Sequence, residues 1–134
     1  GALGRRLLTR VGDVMRSGDT LATVPTGARL VDAILEITRK RMGMTAIVDR
    51  EGRLAGIFTD GDLRRLIEQG RDLRGLVIDE VMTRTPATID AQALAAEAVR
   101  VMEERRISQL LVIDAQRRLL GALHIHDLLT AKVV

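Results

Sequence analysis

Apolar positions along the chain change their spacing in a fixed order, and this order predicts the elements of the first half. After the turn-forming residues Pro25-Thr26-Gly27, apolar residues recur at helical spacing; they are Leu30, Val31, Ile34, Leu35 and Ile37. Two β-rich runs follow at 45–48 and 54–58, with a polar turn containing Gly52 between them. A second helix is expected to begin near Asp60.

The same succession recurs in the second half. A helical stripe, with Asp90 as its expected N-cap, comprises Leu94, Ala98, Val101 and Met102. Two further β-rich runs, 109–113 and 119–123, flank the polar turn 115–117, and a closing helix is expected near His126. With a leading strand in each copy, the predicted order in both halves is strand, helix, strand, strand, helix.

The two halves also match residue by residue. Val11-Gly12-Asp13-Val14-Met15 recurs 67 residues later as Ile78-Asp79-Glu80-Val81-Met82, and Ile47-Val48-Asp49 recurs 65 residues later as Val112-Ile113-Asp114. Matches at a nearly constant offset indicate an internal repeat.

The repeat sets the expected domain boundaries. We predict a first repeat over residues 11–68, a linker over 69–77 and a second repeat over 78–134. Residues 1–10 match nothing in the second half and begin without an initiator methionine. We therefore interpret them as a connector from a preceding domain.

These elements define an α/β (α+β) protein built from two small repeats. A single unit of this size buries little apolar surface. We therefore expect the two repeats to pack sheet to sheet with pseudo-twofold symmetry, and neither half to fold alone.

Composition narrows the function. The 134 residues contain no cysteine, which excludes disulfide scaffolds, thiol nucleophiles and cysteine-ligated zinc. Positive and negative side chains nearly balance at a net charge of +3, and Phe58 is the single aromatic residue, so no nucleic-acid partner is expected. The apolar runs are shorter than the roughly 18 residues that span a bilayer, and no signal segment opens the chain. We expect no membrane partner and a cytoplasmic location.

Three motifs carry a recognisable pattern: Val11-Gly12-Asp13-Val14-Met15, Ile47-Val48-Asp49 and Gly56-Ile57-Phe58-Thr59-Asp60-Gly61-Asp62. With their second copies, they resemble a tandem pair of cystathionine-β-synthase-type (CBS) repeats from Val11 to the C-terminus. The resemblance implies a regulatory module that binds adenosine nucleotides or related ligands in clefts between the repeats. Such a module transmits the bound state to an attached enzyme or transporter.

Shorter segments carry a more specific resemblance. Gly1–Leu8, Phe58–Arg65 and Leu123–Leu129 are similar to the C-terminal half of arabinose 5-phosphate isomerases. In that family a sugar-isomerase domain precedes a CBS pair and interconverts D-arabinose 5-phosphate and D-ribulose 5-phosphate for 3-deoxy-D-manno-octulosonate and lipopolysaccharide synthesis. The resemblance implies that this chain is the regulatory half.

The segment Thr59-Asp60-Gly61-Asp62 lies between a predicted strand and a predicted helix, and it has two interpretations. Threonine followed three residues later by a carboxylate is a helix-capping pattern. The CBS resemblance implies that Asp62 also accepts hydrogen bonds from two ribose hydroxyls while Thr59 faces a phosphate. A helix N-terminus favours such an anion.

In the second copy, His124 and His126 replace Thr59 and Gly61, while Asp127 keeps the acid. Because histidine is the poorer cap, the retained carboxylate favours a ligand contact. The histidine pair has three interpretations: metal binding, for which further ligands are lacking nearby; contact with phosphate or sugar, which the family likeness implies; or a structural pair. We assign no metal site and expect the two ligand sites to differ.

The CBS pattern implies further lining segments in both copies: 21–24 and 85–88 after the repeated methionines, and 42–46 and 107–111, the latter including Ile107 and Ser108, at the entry to the following strand. Arg84, two residues after Met82, and Arg106, before the strand, are candidates to reach a phosphate. Backbone groups of such segments read the edge of a base. Each arginine either reaches a phosphate or is a solvated surface residue.

Two hypotheses for function follow. The first, which the two resemblances imply, is a ligand sensor that requires no cofactor and binds AMP, ATP or a CMP-sugar such as CMP-3-deoxy-D-manno-octulosonate. The second is an oligomerisation scaffold that joins the parent enzyme into a dimer or tetramer. We expect no catalytic residues in this chain, because its sequence shows no Ser-His-Asp set, paired acid–base carboxylates or phosphate-binding glycine loop.

Overall fold

The computed structural model describes residues 8–131. Residues 1–7 of the predicted connector and residues 132–134 of the predicted second repeat therefore lie outside the described residues.

The predicted order of elements is confirmed in both halves. The first half contains helix α1 (Val11–Val14), strand β1 (Thr23–Pro25), helix α2 (Leu30–Lys40), strands β2 (Met44–Val48) and β3 (Leu54–Thr59), and helix α3 (Asp60–Glu68). The second half contains strand β4 (Thr88–Asp90), helix α4 (Ala95–Arg105), strands β5 (Gln109–Ile113) and β6 (Leu119–His124), and helix α5 (Ile125–Thr130). Short 3₁₀ turns, Gly18–Thr20 and Ile78–Glu80, precede the first strand of each half.

Each half forms one three-stranded sheet with the same topology. The strand orders are β1-β2-β3 and β4-β5-β6. In each sheet the first two strands are parallel, because a helix crosses over between them, and the last two form an antiparallel hairpin. The face-to-face packing of the two sheets stays a prediction.

The hairpin turns match in backbone but not in residue type. Asp49 accepts hydrogen bonds at 2.9 Å from the backbone N–H groups of Glu51 and Arg53, and Asp114 makes the equivalent bonds in the second copy. The left-handed position is Gly52 in the first turn (φ 78°) and its counterpart 65 residues on, an arginine (φ 62°), in the second. Glycine adopts this conformation without steric cost, whereas arginine does not.

Two details differ from the sequence predictions. Asp90 is not the N-cap of α4: that helix begins at Ala95, with Leu94 at the N-cap, while the Asp90 carboxylate accepts the N–H of Gln92 at 2.7 Å. Asp90 ends β4, so its side chain closes the turn that follows the strand. On α2 the predicted apolar stripe is wider than the buried face, and Leu35 is 59% exposed.

The compact units of the structure do not coincide with the sequence repeats. Unit 2 is Asp19–Pro86, whereas unit 1 combines the described residues up to Gly18 with those from Ala87 onward. The short helical turn at the start of each repeat therefore packs in the unit formed by the rest of the other repeat. We call residues 11–16 and 78–83 the docking segments of units 1 and 2.

Each hydrophobic core includes residues of its docking segment. Ile78 and Met82 belong to the core of unit 2 together with Phe58, and Val11 belongs to the core of unit 1 together with Leu128. Met15 packs against the unit 1 core as a half-buried residue. That neither half folds alone stays a prediction, and this exchange of segments supplies its physical reason.

A glycine in the last strand of each sheet makes room for the docking segment. A β-carbon on Gly56 would lie 2.7 Å from both the Met82 sulfur and the Thr83 carbonyl oxygen. A β-carbon on Gly121 would lie 2.7 Å from the Met15 sulfur and 2.5 Å from the Arg16 carbonyl oxygen. Real β-carbons essentially never approach so closely. Docking therefore requires glycine at both positions.

Within residues 8–131, none of the helices has the length and apolar character needed to cross a membrane.

Replacing either strand glycine should destabilise the protein. We expect Gly56→Ala and Gly121→Ala each to lower the free energy of unfolding by about 1–3 kcal/mol, because the added methyl overlaps the docking segment. Chemical denaturation measures this change. The control is Gly61→Ala in α3, where the nearest atoms to an added β-carbon lie at 3.6 Å and alanine stabilises a helix by about 0.5–1 kcal/mol. Equal unfolding midpoints for Gly56→Ala and Gly61→Ala would contradict the packing argument.

Candidate functional site

The start of α3 in unit 2 carries the first candidate site. Thr59 is the last residue of β3 and the N-cap of α3, and its hydroxyl accepts the backbone N–H of Asp62 at 3.2 Å. In return, Asp62 Oδ2 accepts the backbone N–H of Thr59 at 2.9 Å and its hydroxyl at 3.0 Å. The capping interpretation of this segment therefore holds, and it fixes the Asp62 carboxylate at the foot of the helix.

The other oxygen of this carboxylate faces an arginine of the same helix. Asp62 Oδ1 accepts a hydrogen bond from Arg65 at 2.6 Å. The Arg65 side chain is 63% exposed, whereas that of Asp62 is 18% exposed. An exposed ion pair between residues three apart on a helix stabilises by only about 0.2–0.5 kcal/mol. A ligand that reaches Oδ1 therefore has a weak competitor.

In unit 1 the start of α5 has the same construction with different side chains. His124 is the N-cap, and its Nδ1 accepts the backbone N–H of His126 at 3.1 Å. Asp127 Oδ2 accepts the backbone N–H of His124 at 3.2 Å. Histidine, which the sequence analysis ranked as the poorer cap, thus caps this helix. Capping therefore explains why Asp127 is present. The sequence argument took a poor cap at His124 as a sign that Asp127 contacts a ligand, and that argument no longer applies.

Asp127 has a second partner that Asp62 does not have. Arg16, at the end of the docking segment of unit 1, donates from Nε to Oδ1 and Oδ2 at 3.3 and 3.2 Å and from Nη2 to Oδ1 at 3.1 Å. The two side chains are 31% and 19% exposed. A half-buried two-pronged contact of this kind is stronger than an exposed single-pronged one.

The two imidazoles lie against each other. The His124 and His126 rings stack with their centroids 4.8 Å apart and their planes 13° from parallel. Burial lowers the pKa of His124 below its usual value of 6.5; His126 and Arg16 act in the same direction, and Asp127 opposes them. Neutral His124 is also the form whose Nδ1 accepts the capping hydrogen bond.

Of the three interpretations of the histidine pair, the geometry supports a structural one, since His124 caps α5 and stacks on His126. Contact with a phosphate or sugar stays a prediction. Among residues 8–131, no group of three or more His, Asp and Glu side chains is arranged to hold a metal ion.

The remaining predicted positions fall in two places. Ser108 lies at the unit 1 site, where its carbonyl oxygen accepts the N–H of Ile125 at 2.8 Å, and Ile107 packs against the core beside it. Arg106 precedes them as an exposed, left-handed C-cap of α4. Arg84 lies in unit 2, where its guanidinium donates to the carbonyl oxygen of Asp79 at 2.8 Å.

Two arginines that contact the candidate carboxylates were missed by the sequence analysis. Arg65 is three residues after Asp62, a spacing that places both on one face of a helix and signals the pair. Arg16 is separated from Asp127 by 111 residues, so no local pattern announces their contact. Its position directly after the repeated methionine is the one available clue.

Comparison with known proteins identifies both repeats. The family model described as CBS domain matches residues 11–69 and 78–134. The whole chain aligns with 41% of the arabinose 5-phosphate isomerase KdsD of Pseudomonas aeruginosa at 53% identity. It aligns with 40% of the enzyme of the same name from Salmonella typhi at 52% identity. The chain thus spans about 40% of the length of these relatives.

The fold is shared with solved structures. The crystal structure of CBSX2 in complex with AMP superposes with a TM-score of 0.82, covers 93% of this chain and 96% of that one, and is 26% identical in sequence.

Stability should fall as His124 becomes protonated. Since its pKa is lowered on folding, neutral His124 stabilises the fold above pH 6.5, and this contribution is lost as the pH falls below 6.5 through the folded-state pKa. Melting temperatures of the wild type and of His124→Asn, which keeps a capping acceptor without titrating, measure the effect between pH 8 and 5. We expect the wild type to lose more stability than the variant in acid. A constant difference between the two across this range would contradict the assignment.

Proposed function

This chain belongs to the CBS domain family, and we propose that it is the ligand-sensing module of an arabinose 5-phosphate isomerase. In this proposal, unit 2 binds a nucleotide or nucleotide-sugar by its ribose, and occupancy changes the activity of the attached enzyme. The observation that carries the proposal is a carboxylate held at the same place, at the foot of a capped helix, in both units.

The Asp62 carboxylate is suited to a ribose diol. An ionised carboxylate has about four acceptor positions, of which Thr59 takes two on Oδ2 and Arg65 takes one on Oδ1. When the exposed Arg65 side chain turns away, Oδ1 can accept both hydroxyls of the diol. A charge-assisted pair of hydrogen bonds then replaces the surface ion pair.

A phosphate on the same ligand would lie beside Thr59. The N-terminus of α3 favours negative charge, and the Thr59 hydroxyl can donate to a phosphate oxygen by rotating its proton away from Asp62. Phe58 is completely buried in the core, so the base would be held by apolar side chains and backbone groups rather than by a stacking ring.

AMP is the first ligand to test, because the CBSX2 structure, which shares 26% of its sequence with this chain, is a complex with AMP. ATP and CMP-3-deoxy-D-manno-octulosonate are the alternatives. The CMP-sugar is a product of the route that arabinose 5-phosphate supplies and carries a ribose diol. It would make the module a feedback sensor.

The activity that we propose for the whole protein is inferred from the named relatives. Since both relatives, of which this chain aligns with about 40%, are named arabinose 5-phosphate isomerases, we infer that the parent enzyme interconverts D-arabinose 5-phosphate and D-ribulose 5-phosphate in the cytoplasm. The present chain contributes regulation. A ligand regulates such an enzyme only through unequal affinity for two of its states.

Removing the Asp62 carboxylate should weaken ligand binding. We expect Asp62→Ala to reduce the binding free energy of AMP by about 1–3 kcal/mol, because a charged hydrogen-bonding partner is lost. Isothermal titration calorimetry with AMP, ATP and the CMP-sugar measures this. Two variants are the controls. Asp62→Asn retains a capping acceptor, and Asp60→Ala removes a neighbouring exposed charge from the same turn. Equal affinity of the wild type and Asp62→Ala would remove Asp62 from the site, and no heat with any of the three compounds would reject the sensor.

A scaffold function is the second candidate, and exposed apolar residues favour it. Leu35 on α2 and Ile67 on α3 are 59% and 60% exposed, and Leu129 on α5 is 50% exposed. Apolar surface left in water on helices is available for association with a second copy.

If the scaffold is the main function, Leu35→Asp combined with Ile67→Asp should convert a dimer or tetramer to a monomer in light scattering while the melting temperature changes little. Ala96→Asp is a control on an exposed position of α4. Unchanged mass in the double variant would exclude these helices from the interface.

A further inference from the structure

Resting on the proposed function, we propose that Arg16 is an internal competitor for the ligand site of unit 1. In this proposal its guanidinium occupies the Asp127 carboxylate that a ribose diol would otherwise occupy. A ligand binds unit 1 only by releasing Arg16, so occupancy of that site changes how the docking segment is held.

The chemistry of the contact makes the two occupants mutually exclusive. A guanidinium fork and a vicinal diol each present two neighbouring donors to one carboxylate. Arg16 uses Nε and Nη2 on both oxygens of Asp127 at 3.1–3.3 Å, and the N–H of His124 takes a further position on Oδ2. Both donors of a diol cannot be added while the arginine remains.

The backbone holds Arg16 in the place from which it reaches Asp127. Arg16 and Ala122 exchange two backbone hydrogen bonds of 2.9 Å, so the docking segment pairs with β6. Since Gly121 allows this approach, the arginine side chain starts from a fixed point beside the beginning of α5. Its contact with Asp127 is built into the fold of unit 1.

Unit 2 provides an internal comparison. Thr83 and Ile57 exchange the same two backbone hydrogen bonds, also at 2.9 Å, and Thr83 therefore occupies the backbone position of Arg16. A threonine side chain cannot supply a guanidinium fork. Asp62 pairs instead with Arg65 of its own helix, which is 63% exposed, compared with 31% for Arg16. Unit 2 is thus the open site and unit 1 the self-occupied one.

The consequence is a module whose two sites fill in sequence. A ligand binds at Asp62 by displacing a surface side chain, and at Asp127 only at higher concentration. Binding at Asp127 also removes an ion pair that anchors the docking segment Val11–Arg16 on unit 1. The second event, rather than the first, is then reported to the part of the protein that precedes this segment.

Calorimetric titration with AMP tests the competitor directly. We expect the wild type to bind AMP at one strong site, and Arg16→Gln to gain a second site whose affinity rises at least about tenfold, the effect of one charged hydrogen-bonding partner. Adding Asp127→Asn should abolish this second site. Arg10→Gln is the matched control, since Arg10 belongs to the same stretch of chain, carries the same charge and donates to the carbonyl oxygen of Gln92 instead.

The melting curve of Arg16→Gln shows whether that variant folds. If it does not, the converse variant, Thr83→Arg, still tests the proposal. Thr83→Arg places a guanidinium at the matching position of unit 2 and should weaken AMP binding at Asp62 about tenfold. Unchanged AMP affinity in Thr83→Arg, or unchanged stoichiometry and affinity in a folded Arg16→Gln, overturns the competitor.

The outcomes separate this inference from the proposed function. One AMP site in the wild type that depends on Asp62, with no gain in Arg16→Gln, refutes the competitor alone. Binding only in Arg16→Gln, and dependent on Asp127, supports the competitor and refutes the sensor at Asp62. No binding of AMP, ATP or the CMP-sugar in either protein refutes both.

Discussion

The close approach of a methionine-bearing segment to a glycine in the last strand of each sheet is the contact on which the rest of the structure depends. At Gly56 and Gly121 the strand has no side chain, so the backbone of the docking segment can form two hydrogen bonds with the residue that follows. This contact closes each core with residues from the other repeat. It also sets residue 83 or residue 16 beside the start of the helix that carries the candidate carboxylate.

The two candidate sites therefore share a backbone and differ in side chains. Thr59 and His124 both cap a helix, but one does so with a hydroxyl and the other with an imidazole nitrogen. Thr83 and Arg16 hold the same backbone register, but only the arginine reaches a carboxylate. A duplicated fold thus keeps its hydrogen-bonding frame, while single substitutions give the two carboxylates different arginine partners.

The sequence predicted what depends on near neighbours along the chain. Helical and alternating spacing located the elements to within a few residues, and the threonine-to-aspartate spacing predicted the capping of α3. The prediction that Asp90 caps α4 was wrong because an aspartate before a helix either caps the helix or closes a preceding turn. Which of the two it does depends on where the strand ends. The capping ability of His124 was underestimated because cap preferences are averages over many proteins. The Nδ1 atom of a neutral imidazole is nevertheless a good hydrogen-bond acceptor.

What the sequence could not predict depends on distant partners. Apolar residues such as Val11 and Met15 are predicted from the sequence to be buried, but the sequence does not show which of the two cores contains them. For the same reason the pairing of Arg16 with Asp127 could not be predicted, although it decides which partner the second carboxylate has. The strand glycines were visible as matching residues, but their role required the docking segment to be placed.

The exchange of segments also gives the chain a direction of assembly during translation. Unit 2 is one continuous stretch, Asp19–Pro86, so all of its core is synthesised before β4, the first strand of unit 1. Unit 1 must wait, because its core joins Val11 to Leu128, which is synthesised 117 residues later. Between these two events the core of unit 2 is complete while the segment that begins at Val11 lacks its own core, and such transiently exposed apolar surface is a binding site for a chaperone.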